Sequence, residues 1–272
     1  MNPNDSTTIR DEVRNHYGEV ARKGSSCCGP TCCTPQATGS MTTASETALR
    51  LGYTPQELGS VPEGANLGLG CGNPQAIAAL RPGETVIDLG SGAGFDCLLA
   101  ARQVGPEGRV IGVDMTPDMI SRARQNAART GAANVEFRLG EIEHLPVPDR
   151  SADAIISNCV INLSPDKAAV FREALRVLRP GGRLAISDVV ALGPMPENIQ
   201  RDLAMYTGCV AGAATVEETT RLLTGAGFVD IEVTIDQAAS QAMADLTPGH
   251  DLRSLAASAH IEARRPGEGM TA

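Results

Sequence analysis

The sequence lacks the features that mark nucleic-acid-binding and membrane proteins. Its 23 lysines and arginines are outnumbered by 32 aspartates and glutamates, giving a net charge of −9, whereas nucleic-acid and anionic-membrane partners require clustered positive charge. No uninterrupted stretch of about 18 apolar residues is present to span a membrane. Residues 1–20 are polar and charged throughout, unlike a secretory signal peptide. We therefore expect a cytoplasmic protein with neither a nucleic acid nor a membrane as partner.

Patterns typical of hydrolases are also missing. Four histidines occur, and none has zinc-ligand spacing: His16, His144, His250 and His260. There is no H-E-x-x-H motif, no Ser-His-Asp arrangement and no phosphate-cradling loop. A hydrolase is therefore disfavoured, and no structural metal is expected.

Cysteine is the chemically distinctive residue that is present. In a reducing compartment, eight cysteines are expected to be catalytic or metal-binding thiols rather than disulfides. Half of them crowd into "SSCCGPTCC", whose CxxxC spacing is compatible with zinc, but no second pair exists to complete a zinc ribbon. The eight are Cys27, Cys28, Cys32, Cys33, Cys71, Cys97, Cys159 and Cys209.

Short runs rich in β-formers alternate with helical patterns from residue 84 onward. The runs are "ETVIDLG", "RVIGVD", "VEFRLG", "ADAIISN", "RLAISDVV" and "VDIEVTI", and "LAASAHIEARRP" could supply a last strand. This alternation predicts an α/β fold with a mostly parallel, seven-stranded sheet and helices on both faces. We divide the chain into an N-terminal helix with a Cys-rich cap (1–70), a core (71–235) and a tail (236–272). Asp188, at the end of the fifth run, is interpreted as a cap or loop residue.

The segment "VIDLGSGAGFD" predicts a strand, a tight glycine turn and a helix. Glycines there tolerate positive φ and let a ligand approach the backbone. Asp114 ends the next strand, 20 residues beyond Gly94, where a carboxylate can bind ribose hydroxyls. The G-x-G-x-G spacing and the leading Asp88 suit an ammonium group rather than a phosphate, which favours S-adenosylmethionine. The expected donor-binding residues of this unit are Asp88, Gly90, Ser91, Gly92, Gly94 and Asp114.

Residues after three further strands are expected to complete the donor site. "LGEIEHLP" follows the third strand, so Glu141, Ile142 and Glu143 are expected to bracket an adenine. Met115 is expected either to pack on the adenine ring or to fill the core, and the sequence leaves both open. Asn158 ends the fourth strand at the same edge.

Three single cysteines are expected at the carboxyl edge of the sheet, where open α/β sheets bind ligands. Cys159 follows the fourth strand, Cys209 lies after the fifth, and Cys71 precedes the first in "LGLGCGNP". Three thiolates would form a soft site that selects a soft centre, and pre-formed thiolates need a cation or a bound thiophilic atom. Cys97, inside a helix, is expected only to pack.

Segments along almost the whole chain resemble the bacterial arsenite S-adenosylmethionine methyltransferases. They are "YGEVAR", "SSCC", "LGCGNP", "DLGSGAGFDCLLAA", "IGVDMTPDMI", "EIEHLPV", "ISNCVINLSPDK" and "GCVAGAA". The resemblance implies the Rossmann-like fold of the class I S-adenosylmethionine-dependent methyltransferases. It also implies arsenic detoxification, in which S-adenosylmethionine methylates arsenite that arrives as a thiol conjugate. Thioredoxin or glutathione would act as the reductant.

The same resemblance assigns roles to individual cysteines. It implies that Cys159 and Cys209 bind trivalent arsenic and that Cys71 is needed for activity, with residues 191–225 as an arsenic-binding insertion. A fourth functional thiol is expected near the N-terminus, at Cys27 or Cys28. The chain departs from the family by offering two vicinal cysteine pairs there, and we expect it to lack the extra C-terminal domain of larger members.

Two other functions stay open on the sequence alone. One is methylation of a small organic acceptor, such as a quinone precursor, because many class I enzymes share the core. The other is a thiol-rich protein that sequesters a metalloid without transforming it. The crowded cysteine segment likewise has three interpretations: arsenic delivery, metal binding, or a redox element. The sequence does not indicate an oligomeric state.

Overall fold

The computed structural model describes the chain in four stretches, residues 6–23, 43–200, 202–246 and 252–269. The four crowded cysteines, Cys27, Cys28, Cys32 and Cys33, lie outside them. Within these stretches, no helix is long and apolar enough to cross a membrane.

Seven strands form a single sheet. They are β1 (Thr85–Leu89), β2 (Arg109–Asp114), β3 (Val135–Leu139), β4 (Ala152–Asn158), β5 (Leu178–Ala191), β6 (Val229–Ile235) and β7 (Ala256–Arg264). Their order is β3-β2-β1-β4-β5-β7-β6. The first five pair in parallel, whereas β7 runs antiparallel to both β5 and β6. The predicted, mostly parallel seven-stranded sheet is confirmed, including the last strand near the C-terminus.

Helices flank this sheet in the described part of the chain. They are α1 (Ser6–Lys23), α2 (Ala44–Arg50), α3 (Pro55–Gly59), α4 (Gln75–Ala78), α5 (Phe95–Val104), α6 (Pro117–Thr130), α7 (Lys167–Val177), α8 (Glu197–Gln200), α9 (Leu203–Thr207), α10 (Val216–Ala226) and α11 (Gln237–Leu246). Short 3-10 turns cover Ile161–Leu163 and Leu252–Ser254. Helix α1 packs against α6 and α9 rather than against the sheet.

The core has two apolar layers because side chains alternate along each strand. In β1, Val86 joins the layer beneath α5 and α6, whereas Ile87 and Leu89 join the layer beneath α7 and α10. Strands buried on both faces appear in a sequence as nearly continuous apolar runs. This is the pattern that identified the first, second and fourth strands.

Strand β5 differs from its prediction at its start. The predicted run "RLAISDVV" begins at Arg183, but β5 begins at Leu178 and also includes "LRPGG". Gly181 takes a φ of +78°, and the register against β4 shifts between Ala152 and Ala154. An irregularity of this kind accommodates a proline and positive-φ glycine inside a strand.

Candidate active site

The site lies at the carboxyl edge of the sheet, where β1 has β2 on one side and β4 on the other. Open α/β sheets bind ligands at such a point because the connections leave in opposite directions. A cavity of about 1170 Å³, including its open mouth, occupies this position. Residues that follow β1, β2 and β4 line it, together with residues of α1 and of the segment that precedes β1.

The glycine loop after β1 forms one wall of this cavity. Gly90 has a φ of +68°, and a Cβ atom there would lie 2.4 Å from Val160 Cγ2. No other residue type fits that position without displacing Val160. The Gly92 amide donates to Asp114 Oδ2 at 2.9 Å, and the Thr116 amide donates to Asp114 Oδ1 at 2.8 Å. These bonds fix the carboxylate of Asp114 at the edge of the cavity.

Buried carboxylates give the cavity an acidic floor. Asp88, Asp96 and Asp114 all line it, and burial raises the pKa of each. For Asp88, the neighbouring charge of Asp96 raises the pKa further. A cationic ligand stabilises the ionised form of such groups. The Ser91 hydroxyl, also in the lining, is buried and has no hydrogen-bond partner among the described residues. The cavity therefore fits a ligand that carries positive charge and polar groups, as S-adenosylmethionine does.

Most of the expected donor-binding residues meet in this cavity. Those that line it are Asp88, Gly90, Ser91, Gly92, Asp114, Met115, Ile142, Glu143 and Asn158. Gly94 and Glu141 do not line it. Gly94 lies against Phe137, which a Cβ atom would approach to 2.8 Å. The Glu141 carboxylate instead pairs with Arg10 and Arg14 on α1, at 3.6 and 3.5 Å.

Helix α1 lies across the cavity, a position that the sequence did not indicate. Arg10, Val13 and Tyr17 share one helix face and line the cavity. Arg10 Nη2 donates to Glu143 Oε1 at 3.0 Å, and the Ser164 hydroxyl donates to the same oxygen at 2.7 Å. The sequence predicted an N-terminal helix, but it did not indicate which surface this face of the helix covers.

Three predicted cysteines converge beside the cavity. Sγ of Cys71, Sγ of Cys159 and a carboxylate oxygen of Asp188 all lie within 4.8 Å of one another. The Cys209 thiol donates to the carbonyl oxygen of Cys159 at 2.9 Å, and thiol–thiol contacts join Cys159 to both Cys71 and Cys209. All three thiols are free and buried, and Cys159 also lines the cavity.

Two of these cysteines have left-handed backbones. Cys159 has a φ of +57° and Cys209 a φ of +64°. This region costs a residue with a side chain on the order of 1–3 kcal/mol and persists only where the surroundings impose it. The Cys159 amide donates to the Ser187 carbonyl at 2.8 Å, and the Cys209 amide donates to the Tyr206 carbonyl at 2.9 Å. At the expense of local strain, the Cys159 thiol contacts Cys71 and the Cys209 thiol contacts Cys159.

The three thiols are protonated at neutral pH in this state. Burial raises the pKa of Cys71 to about 11. The contact with Cys159 and burial raise the pKa of Cys209 well above its ordinary value. Cys209 lowers the pKa of Cys159, but the contact with Cys71 and burial raise it by more. This agrees with the expectation that thiolates form here only with a bound thiophilic atom.

Asp188 belongs to this cluster, so its interpretation as a cap or loop residue is wrong. It is buried in β5 and accepts hydrogen bonds from Ile161 N at 2.9 Å, Asn162 Nδ2 at 2.9 Å and Val189 N at 2.7 Å. Burial raises its pKa to about 6. The signal that could have identified it is an acidic residue within the apolar run "LAISDVV", where only a partnered carboxylate is tolerated.

Comparison with known proteins places the chain in a family. Residues 80–227 match the family described as "Methyltransferase domain". The chain is 52% identical, over 271 residues, to the arsenite methyltransferase of Halobacterium salinarum, a match that covers 96% of this chain and 68% of that protein. The chain belongs to the arsenite methyltransferase family. The resemblance stated from the sequence is thereby confirmed, as is the Rossmann-like class I methyltransferase fold.

More distant members of the arsenite methyltransferase family match shorter portions. The chain is 34% identical to the human arsenite methyltransferase, over 81% of this chain and 58% of that protein. The crystal structure of an arsenic(III) S-adenosylmethionine methyltransferase from Chlamydomonas reinhardtii superposes with a TM-score of 0.62 at 34% identity, covering 85% of this chain and 76% of that one. The chain therefore spans about two thirds of the Halobacterium relative and less of the human one.

Proposed function

We propose that this family member transfers a methyl group from S-adenosylmethionine to trivalent arsenic bound by Cys71, Cys159 and Cys209. The convergence of three free, buried thiols from three separate segments carries this proposal. One of them, Cys159, also lines the cavity that suits the donor. Soft sulfur ligands select a soft centre, and trivalent arsenic is one.

The neutral state of the thiols suits capture of an arsenic–thiol conjugate. Each protein S–H group forms one As–S bond while an As–S bond to a small thiol breaks. The small thiol leaves with the proton, so no charge enters the buried site. Burying uncompensated charge would cost several kcal/mol, and the exchange avoids that cost. Asp188, held by three donors, stays beside the sulfur atoms without competing for their protons.

The cavity residues would hold the donor against this acceptor. Asp88 would bind the ammonium group, Asp114 the ribose hydroxyls, and Met115 with Ile142 would contact the adenine. S-adenosylmethionine, when bound, supplies an electrophilic methyl group: the arsenic lone pair would attack its carbon, and S-adenosylhomocysteine would leave with the electrons of the broken S–C bond. No protein base is needed, because sulfur-bound arsenic carries no proton. The protein contributes mainly by fixing acceptor and donor at a reactive separation, and α1 supplies part of the cavity wall.

Turnover requires two electrons for each methyl group that is added. Accepting the methyl group takes arsenic formally from the trivalent to the pentavalent state, and oxidation of two protein thiols to a disulfide would restore it. An external dithiol or thiol, thioredoxin or glutathione, would then reduce the disulfide. Cys27 or Cys28 remains the proposed fourth thiol, and both lie outside the described residues. Free thiols at this site favour the reducing cytoplasm as the location.

Product analysis tests the proposal. Purified protein incubated with arsenite, S-adenosylmethionine and glutathione should form methylated arsenicals, which are separated by chromatography and detected by mass spectrometry. Cys159→Ser and Cys209→Ser should each abolish product while retaining donor binding. Methylation of an organic acceptor that survives both substitutions would instead support the small-molecule alternative. Arsenite binding without consumption of S-adenosylmethionine would support sequestration.

A further inference from the structure

The side chain of Asn158 fastens the backbone at Cys71. Asn158 Oδ1 accepts a hydrogen bond from the Cys71 amide at 3.1 Å. Asn158 Nδ2 lies 2.9 Å from the Gly72 carbonyl oxygen, 3.0 Å from the Tyr53 hydroxyl and 3.2 Å from Asp96 Oδ2. The Tyr53 hydroxyl in turn donates to Asp96 Oδ1 at 2.8 Å. We call Asn158, Tyr53 and Asp96 the Cys71 clamp.

The segment around Cys71 approaches its neighbours so closely that glycine is required on both sides. A Cβ atom at Gly70 would lie 2.7 Å from Asn158 Nδ2, and one at Gly72 would lie 2.8 Å from Ser187 Cβ. The Ser258 hydroxyl donates to the Cys71 carbonyl at 2.8 Å. The segment is therefore held from β4, β5 and β7 together, although it belongs to none of them.

The other two sulfur atoms are positioned without this clamp. Cys159 follows β4 directly, and its amide bonds to β5. Cys209 is held by the turn that ends α9. Cys71 comes from an irregular segment, 87 residues away from Asn158 along the chain. Its thiol donates to the Ser187 carbonyl oxygen at 3.6 Å, and hydrogen bonds with the side chains of Asn158 and Ser258 hold its backbone.

We propose that Asn158, supported by Tyr53 and Asp96, is a positioning residue that holds Cys71 in place as the third sulfur ligand of arsenic. Without the Asn158 amide, the site reduces to the Cys159–Cys209 pair. This inference rests on the proposed function. It also gives Asn158 a role that differs from donor binding, since its amide group is engaged by the protein itself.

Thiol footprinting of the full-length protein tests the inference. The parent and Asn158→Ala are alkylated with and without arsenite, and the extent at each cysteine is read from peptide masses. In the parent, arsenite should protect Cys71, Cys159 and Cys209. In Asn158→Ala, the protection of Cys71 should fall at least tenfold while that of the other two remains. Cys97 is fully buried and is not a proposed ligand, so its labelling reports any general loosening.

A matched pair of glycine variants provides a second test of the inference that does not depend on the folding of Asn158→Ala. Gly70→Ala would push against Asn158, whereas Gly59→Ala places its new methyl group in open space. Only Gly70→Ala should expose Cys71. Equal protection of Cys71 in the parent, Asn158→Ala and Gly70→Ala would overturn the inference. Absence of any protection by arsenite in the parent would instead overturn the proposed function. The two failures are distinguishable, because only in the second are the cysteines of the parent unprotected.

Discussion

The Tyr17 hydroxyl on α1 donates a hydrogen bond of 2.9 Å to the carbonyl oxygen of Thr207, two residues before Cys209. The same side chain contacts the Cys209 thiol and lines the donor cavity. One residue of α1 therefore touches both halves of the candidate site. This contact joins segments that are 190 residues apart in the chain.

Removing this hydroxyl should lower both activity and stability. We expect Tyr17→Phe to cost about 1 kcal/mol of hydrogen bonding and to lower the rate of arsenite methylation about fivefold. Arg22→Ala serves as the control, because Arg22, in the last turn of α1, forms an exposed ion pair with Asp118, and such pairs contribute little. Initial rates and melting temperatures provide the measurement. Equal rates for the two variants would show that Tyr17 does not act on the Cys209 segment.

A methyl group at Gly90 should weaken donor binding. Gly90→Ala and Gly131→Ala both place an alanine at positive φ, +68° and +66°, but only the first new methyl group meets Val160. Strain alone costs about 1–2 kcal/mol in either variant. We expect calorimetric titration to show S-adenosylmethionine affinity lowered at least tenfold in Gly90→Ala and unchanged in Gly131→Ala. Similar affinities would mean that the loop tolerates displacement of Val160.

The fold was predictable because its signals are local. Buried strands such as β1 and β4 are apolar runs, and helices such as α6 end in glycine after an apolar periodicity. The path of β5 through "LRPGG" was not predictable, because proline and glycine ordinarily interrupt strands. Here β4 pairs with Leu178 and Arg183 on either side of the proline and the glycines.

The candidate site was predictable only in part. The convergence of Cys71, Cys159 and Cys209 followed from the rule that ligands bind at the carboxyl edge, together with the family resemblance. The Tyr53–Asp96 contact did not, because it depends on the three-dimensional meeting of segments 43 residues apart. The pairing of Arg10 with Glu143, 133 residues away, is of the same kind, and periodicity carries no information about such pairs.

Asp188 should make the stability of the fold depend on pH. Burial raises its pKa to about 6 from an ordinary 3.8, so the folded protein binds this proton more tightly than the unfolded chain. The resulting stabilisation is complete below about pH 4 and is lost as the pH rises through about 6. Asp188→Asn removes this dependence. Relative to the parent, its free energy of unfolding should therefore improve between pH 4 and 7 by on the order of 3 kcal/mol.

Urea denaturation at several pH values measures this difference. Hydrogen bonds lost through the substitution lower the variant's stability equally at every pH. They therefore do not affect the change in its free energy of unfolding between pH 4 and 7. Asp88, Asp96 and Asp114 also have raised pKa values because of burial, and they contribute equally to both proteins. If the free energy of unfolding changes with pH in the same way in the parent and in the variant, the pKa of Asp188 lies near its ordinary value and the prediction is wrong.

Arsenite binding should take up almost no protons near pH 7.5. The pKa of Cys71 is about 11, and those of Cys159 and Cys209 are also raised well above the ordinary value, so all three bind as neutral thiols. Arsenite is itself neutral at this pH, and condensation with three thiols releases three water molecules and no net charge. Titration calorimetry in buffers of different ionisation enthalpy counts the protons exchanged. Uptake of one or more protons per arsenic would show that thiolates exist before the ligand arrives, contrary to the effect of burial.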